Sequence, residues 1–208
     1  VKLRILNGWT IFLLIGIMSC NGGNEKKETK TAAAYTYPTP DKWETEKINF
    51  PIDFAPDIPF KGTEDLRFAP GWASTSSDEH WAYAFLWWLE GNPDIDENVM
   101  ARHLKTYYTG LVGRNITEKK IPSSKVTPIT TSVTKIATAP RDLATYEGKI
   151  TMTDYNDILF SPITLNSLIH KKQCGNHLVM ICLISPRSTD HTVWKSLNGL
   201  EEGFKCAE

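Results

Sequence analysis

The chain is short of the features that usually announce a chemistry. No apolar run reaches the ~20 residues needed to cross ~30 Å of hydrocarbon; the longest, Ile5 to Ile17, is broken by Asn7, Gly8 and Thr10. Neither sign of charge dominates, with 23 basic against 24 acidic side chains. Basic residues adjoin in no more than pairs, and one such pair, Lys119-Lys120, directly follows Glu118. That balance argues against nucleic acid or anionic lipid as partners, since both select clustered Lys and Arg, and no nucleic acid is expected. There is no internal repeat, no low-complexity tract and no Gly-x-Ser-x-Gly elbow for a serine nucleophile. The five histidines are scattered, and no cofactor is assigned.

What is present begins at the N-terminus. Lys2 and Arg4 make a cationic start, Ile5 to Ile17 an apolar stretch, and Ile17-Met18-Ser19 precedes Cys20. This opening resembles the signal and lipobox of bacterial lipoprotein precursors. The resemblance implies cleavage before Cys20, diacylglyceryl and acyl (palmitate-type) modification of that residue, and a membrane anchor outside the cytoplasm. Two or more acyl chains hold stably, because each buried CH2 contributes about 0.8 kcal/mol. Asn21 after the acylated cysteine, in place of Asp, favours an outer over an inner membrane of the cell envelope. Loss of Lys2 and Arg4 leaves 21 basic against 24 acidic side chains, a formal charge near −3.

The organisation expected is a signal at 1–19, an acylated cysteine and flexible tether at 20–47, and one α+β domain at 48–208. The tether reading rests on even charge and low hydrophobicity, and a coil from Cys20 to Trp43 would reach about 25 Å. Within the domain, Pro51, Pro56 and Pro59 punctuate an extended segment, Phe50 to Phe60, that lies over the core. Asp65 to Pro70 reads as a short strand. His80 to Glu90 reads either way. As a strand it places Trp81, Tyr83, Phe85, Trp87 and Leu89 on one face; as a helix it has a capping box in Ser76 and Glu79. The five-step alternation favours the strand. Asp96 caps a helix running to about Leu111, with Gly110 and Gly113 near its end.

Strands follow at Val126 to Thr138, Leu143 to Thr153, Thr164 to His170 and Leu178 to Ser185, the last apolar at nearly every position, as when both faces are covered. A closing helix, His191 to Phe204, carries the stripe Val193, Trp194, Leu197, Leu200 and Phe204, with Ser188 or Asp190 as its cap. The fold class is α+β, a mainly antiparallel sheet with a helix packed on each face. This order is similar in outline to the sandwich of the Mog1 and PsbP group, a likeness of fold that implies no functional residue.

With Cys20 given to lipid, Cys174, Cys182 and Cys206 remain. A strand from His177 to Ser185 followed by a returning helix brings Cys206 back beside Cys174, so a Cys174–Cys206 disulfide is expected, and Cys182 a small buried side chain. His170, Cys174, His177 and Cys206 have spacings a tetrahedral metal site could use, but an oxidising compartment favours the disulfide, and no metal is assigned. Asn115-Ile-Thr117 matches a glycosylation pattern that a bacterial lipoprotein leaves unused.

Seven aromatics, Phe68, Trp72, Trp81, Tyr83, Phe85, Trp87 and Trp88, fall within 21 residues. They are core first, but a strand sends Trp88 away from Trp87, which leaves an aromatic platform, Trp72 or Trp88, as a candidate ligand surface for sugar, lipid or an envelope protein. The favoured reading is a non-catalytic envelope lipoprotein acting in binding or assembly. The rival is an extracytoplasmic hydrolase-like enzyme, for which Glu79, His80, Asp190 and His191 are the residues to test, since a His near carboxylates is the raw material of proton transfer.

Overall fold

The structure is a computed structural model and describes residues 33–207. The signal-like opening and Cys20 lie outside the described residues. No helix among the described residues is long and apolar enough to cross a membrane.

In chain order the elements are β1 (Tyr35–Thr36), β2 (Glu44–Asn49), β3 (Gly62–Phe68), β4 (Tyr83–Glu90), α1 (Glu97–Lys119), β5 (Thr130–Lys135), β6 (Ala144–Thr153), β7 (Pro162–Cys174), β8 (His177–Ser185), α2 (Val193–Glu202) and β9 (Lys205–Cys206). Seven strands form one antiparallel sheet in the order β2-β3-β4-β8-β7-β6-β5, and β1 pairs with β9 apart from it. The fold is thus α+β, with one helix on each face of a mainly antiparallel sheet.

Composition explains the centre of the sheet. β4 is Tyr-Ala-Phe-Leu-Trp-Trp-Leu-Glu and buries all but its last residue, and β8 buries all but its first. Period-two alternation splits them between two cores. Tyr83, Phe85, Trp87 and Leu89 pack with Met100, Leu104, Tyr107 and Tyr108 of α1. Ala84, Leu86 and Trp88 pack with Val193, Trp194, Leu197 and Leu200 of α2. Gly175, at φ 55°, turns β7 into β8 with only Asn176 beside it, since Cys174 pairs directly with His177.

Asp96 caps α1, its carboxylate accepting from the Val99 N–H at 2.7 Å. The helix runs on to Lys119, two turns beyond the expected end at Leu111. Gly110 does not stop it because Gly110 serves packing: a Cβ there would lie 1.7 Å from the Phe54 carbonyl oxygen. The segment 50–60 is also more folded than expected. It makes tight turns that bury Ile52, Ala55 and Ile58 in the α1-side core.

The folded part begins earlier than Ile48. Residues expected in the tether form β1 and β2, and Tyr37 is buried. The Tyr35 hydroxyl donates to Asp65 at 2.9 Å, and Arg67 donates to the carbonyls of Tyr37 and Pro38. An edge strand tolerates charge and is protected by it, so Glu44, Glu46 and Lys47 did not prevent pairing. The cap expected for α2 is also different. Thr192 holds the cap position without a side-chain bond, Ser188 donates to the Asp190 carboxylate at 2.5 Å, and the His191 Nδ1 accepts from the Val193 N–H.

Cys174 and Cys206 are joined in a disulfide, and Cys182 is a buried free thiol in β8. The bond fastens the end of β7 to β9 after α2 has recrossed the sheet.

Candidate functional site

Cross-strand register lays out one face of the sheet in rows. Glu44 stands opposite Phe68, which stands opposite Tyr83; one row on, Glu46 stands opposite Leu66, which stands opposite Phe85. α1 lies closest to β5 and β6, so a wedge is left between the helix and the β2–β3 edge. That wedge is a cleft of about 540 Å³.

Three groups of residues line it. The sheet gives Glu44, Glu46, Ile48, Leu66, Phe68 and Tyr83. The helix gives Tyr107, Leu111, Arg114, Asn115 and Lys119, residues that recur at helical spacing on one face. The loops before β4 and after β6 give Trp72, Trp81, Tyr155 and Asn156, and Phe54 closes the side.

The floor is aromatic and the rim is charged. Phe68 stacks on Tyr83 with centroids 5.8 Å apart and lies 4.8 Å from the half-buried Trp72. Arg114 sits over the Phe54 ring at 4.7 Å and reaches Asp53 at 3.4 Å. Lys119 donates to the Tyr155 carbonyl at 2.7 Å. Facing them, Glu44 and Glu46 make no ion pair among the described residues.

Behind the floor lies a polar group that the fold has fully buried. Glu64 accepts from the Trp87 indole N–H at 3.0 Å and from the Tyr107 hydroxyl at 3.4 Å. Burial pushes its carboxyl up to about 8, and the two hydrogen bonds offset only part of that rise. Tyr83 and Tyr108 share a hydroxyl–hydroxyl bond, and burial raises both phenols well above their ordinary value.

The residues proposed for catalysis are dispersed. Glu79 holds its own loop, accepting from the Gly71 N–H at 2.8 Å. His80 pairs with Asp154, Nε2 to Oδ2 at 2.7 Å, and both side chains are buried. The other Asp154 oxygen accepts from the Trp81 indole at 2.9 Å and from the backbone N–H of Asn156 and Asp157. His80 and Asp154 are absent from the cleft lining; what they do is fix Trp81 and Tyr155, which are in it. Asp190 and His191 belong to the turn before α2, and no hydrogen bond or ion pair among the described residues links them to Glu79 or His80. Asp154, 74 residues from His80, could not be paired with it by spacing.

The histidine and cysteine spacing does not make a metal set. Cys174 and Cys206 are consumed by the disulfide, and His177 stacks on Trp88 with centroids 4.5 Å apart. His170 instead meets Asp142 at 2.8 Å, with Glu201 close by. The Lys172 ammonium bridges these carboxylates, 2.5 Å from Asp142 and 2.7 Å from Glu201, so a side-chain cation already occupies the place a metal would take.

The two tryptophans proposed for ligand binding separate. Trp72 lines the cleft. Trp88 is on the α2 face, 9 % exposed, between Tyr35 and His177, and forms no open platform because those rings cover it.

No protein-family model matches the chain, and no curated protein matches it either. Among solved structures it is similar to the solution structure of cyanobacterial PsbP (CyanoP) from Synechocystis sp. PCC 6803, at 8 % identity and a TM-score of 0.37, over 84 % of this chain and 87 % of that one. At that distance no residue or role passes from one to the other.

Proposed function

We propose that this protein is a non-catalytic envelope lipoprotein, tethered through acylated Cys20 to an outer membrane, that binds a ligand or partner component in the aromatic cleft. The cleft carries the reading. It has the volume range of a small-molecule site and the usual make-up, an apolar floor with a few placed polar groups. The one buried His–carboxylate pair beside it, His80–Asp154, spends its hydrogen bonds on holding the loops. The ligand has a flat apolar body that stacks on Phe68 and Trp72 and an anionic group that meets Arg114.

Two measurements test it separately. Labelled palmitate is incorporated by the wild type and lost with Cys20→Ala; incorporation by the variant removes the anchor. Anilinonaphthalene sulfonate, an aromatic body with one anionic group, binds the folded protein, and Trp72→Ala and Arg114→Gln each weaken it about tenfold, worth about 1.4 kcal/mol. Equal binding by all three, with unchanged near-ultraviolet dichroism, rules the cleft out.

A further inference from the structure

We infer that the turn between β6 and β7 is a second membrane contact, whose tip residues Ile158 and Leu159 enter the headgroup boundary of an anionic phospholipid bilayer. Ile158 is 87 % exposed and Leu159 65 %. Single exposed aliphatics are ordinary, but these two are consecutive and held outward. Asp154 accepts from the N–H groups of Asn156 and Asp157 and donates its own N–H to the Ser161 carbonyl. The Asp157 carboxylate accepts from the Leu159 N–H, and the Phe160 N–H donates back to the Asp157 carbonyl. A loop so fully bonded cannot fold its tip back onto the core.

The surroundings fit a lipid surface. The Thr127 N–H donates to the Thr153 hydroxyl at 2.7 Å, which seats the segment after α1 beside the tip. Lys125 and the exposed Val126 share a shallow depression with Leu159 and Phe160. Lys119 is bonded to the Tyr155 carbonyl at the root of the turn, and exposed Lys120 ends α1 next to it. The even charge of the sequence argues against anionic lipid, where Lys119 and Lys120 stand as one isolated pair on this stretch; the fold adds Lys125 beside the tip. Against these three cations stand Glu118 and Asp157, and the Asp157 carboxylate is engaged by the tip backbone. The apolar pair therefore supplies most of the attraction, and lipid charge adds a smaller preference.

The length of chain between Cys20 and the first described residue permits the contact. Ala33 lies beside Lys47, Thr63 and Trp88, and by register Trp88 is level with Lys172 of β7, ten residues or roughly 33 Å along the strand from Pro162 at the base of the turn. Cys20 to Ala33 spans at most about 45 Å when extended. An anchor at Cys20 thus leaves the tip within reach of the same bilayer.

The full chain carrying Cys20→Ala tests the tip without the anchor, so failure of acylation and failure of the contact are distinguishable. It is expected to cosediment with vesicles of phosphatidylcholine and phosphatidylglycerol in equal parts. Adding Ile158→Ser with Leu159→Ser lowers the partition coefficient about tenfold or more, while Lys120→Gln with Lys125→Gln lowers it only on vesicles that contain phosphatidylglycerol. A second reading uses Ile158→Cys carrying an environment-sensitive nitrobenzoxadiazole, whose emission moves to the blue on these vesicles. Equal sedimentation of the double serine variant, or an unmoved emission, overturns the proposal. So does concentration-dependent self-association that the same variant abolishes, which would give the tip to a second copy of the chain.

Discussion

The indole N–H of Trp87 donates to the Glu64 carboxyl at 3.0 Å in a site closed to solvent on every side. Burial raises the Glu64 pKa from 4.5 to about 8, so the folded state binds a proton that the unfolded state has released. Stability contributed by that proton is full below the unfolded value and falls as pH rises toward the folded one, by about 1.4 kcal/mol per pH unit. Urea denaturation between pH 5 and pH 8 is expected to show this decline. Glu64→Gln, neutral throughout, flattens it and makes the variant more stable than the wild type at pH 8.

That carboxyl also marks where sequence reading stops. Between Thr63 and Asp65-Leu66-Arg67, Glu64 reads as one more solvated charge; only the register that sets it against Trp87 reveals its burial. The strands β4 and β8 were legible because alternation and continuous apolarity are local signals. So was the Asp96 cap. The Cys174–Cys206 bond followed from a strand and a returning helix of comparable length. Asp154 and Asp142 were not legible as partners of His80 and His170, since each pair closes only through the fold. β1 and β2 were hidden by their charge, and the aromatic side chains Tyr35, Tyr37 and Trp43, too costly to leave in solvent together, were the signal that could have found them.

The Lys172 ammonium is the cation of a nearly dry cluster, its side chain 8 % exposed and that of Asp142 fully buried. Lys172→Ala leaves two carboxylates facing one another and is expected to cost about 3–5 kcal/mol. It also frees the donor atoms of Asp142, His170 and Glu201, which lie within 4.8 Å of one another. Zinc should therefore raise the melting temperature of Lys172→Ala and leave that of the wild type unchanged.

The Cys174–Cys206 disulfide closes a loop of 32 residues in sequence separation. Cys206→Ser removes that restriction on the unfolded chain and is expected to cost about 3 kcal/mol. Among the described residues β9 pairs only with β1, so the loss should first appear as faster amide exchange in Tyr35, Thr36 and Lys205, while β8 stays protected to the global limit. Uniform loss of protection across the sheet would mean that the bond supports the whole core instead.

Gly110 sets how closely the 50–60 segment approaches α1. The Cβ added by Gly110→Ala would fall 1.7 Å from the Phe54 carbonyl oxygen and 2.7 Å from its carbon, and backbone cannot rotate away as a side-chain tip can. Better helix propensity in alanine, about 1 kcal/mol, is outweighed by overpacking of about 1–3 kcal/mol or more. A net destabilisation is expected, together with a shift of Phe54, which meets Tyr107 edge-on at 5.0 Å and lies under Arg114. Both neighbours line the cleft, so Gly110→Ala should weaken anilinonaphthalene sulfonate binding in step with its loss of stability. Gly113→Ala, where a Cβ meets nothing within 4 Å, serves as the control: it should gain stability from propensity alone and leave the cleft unchanged. If both variants behave alike, the contact between Gly110 and Phe54 does not set the cleft.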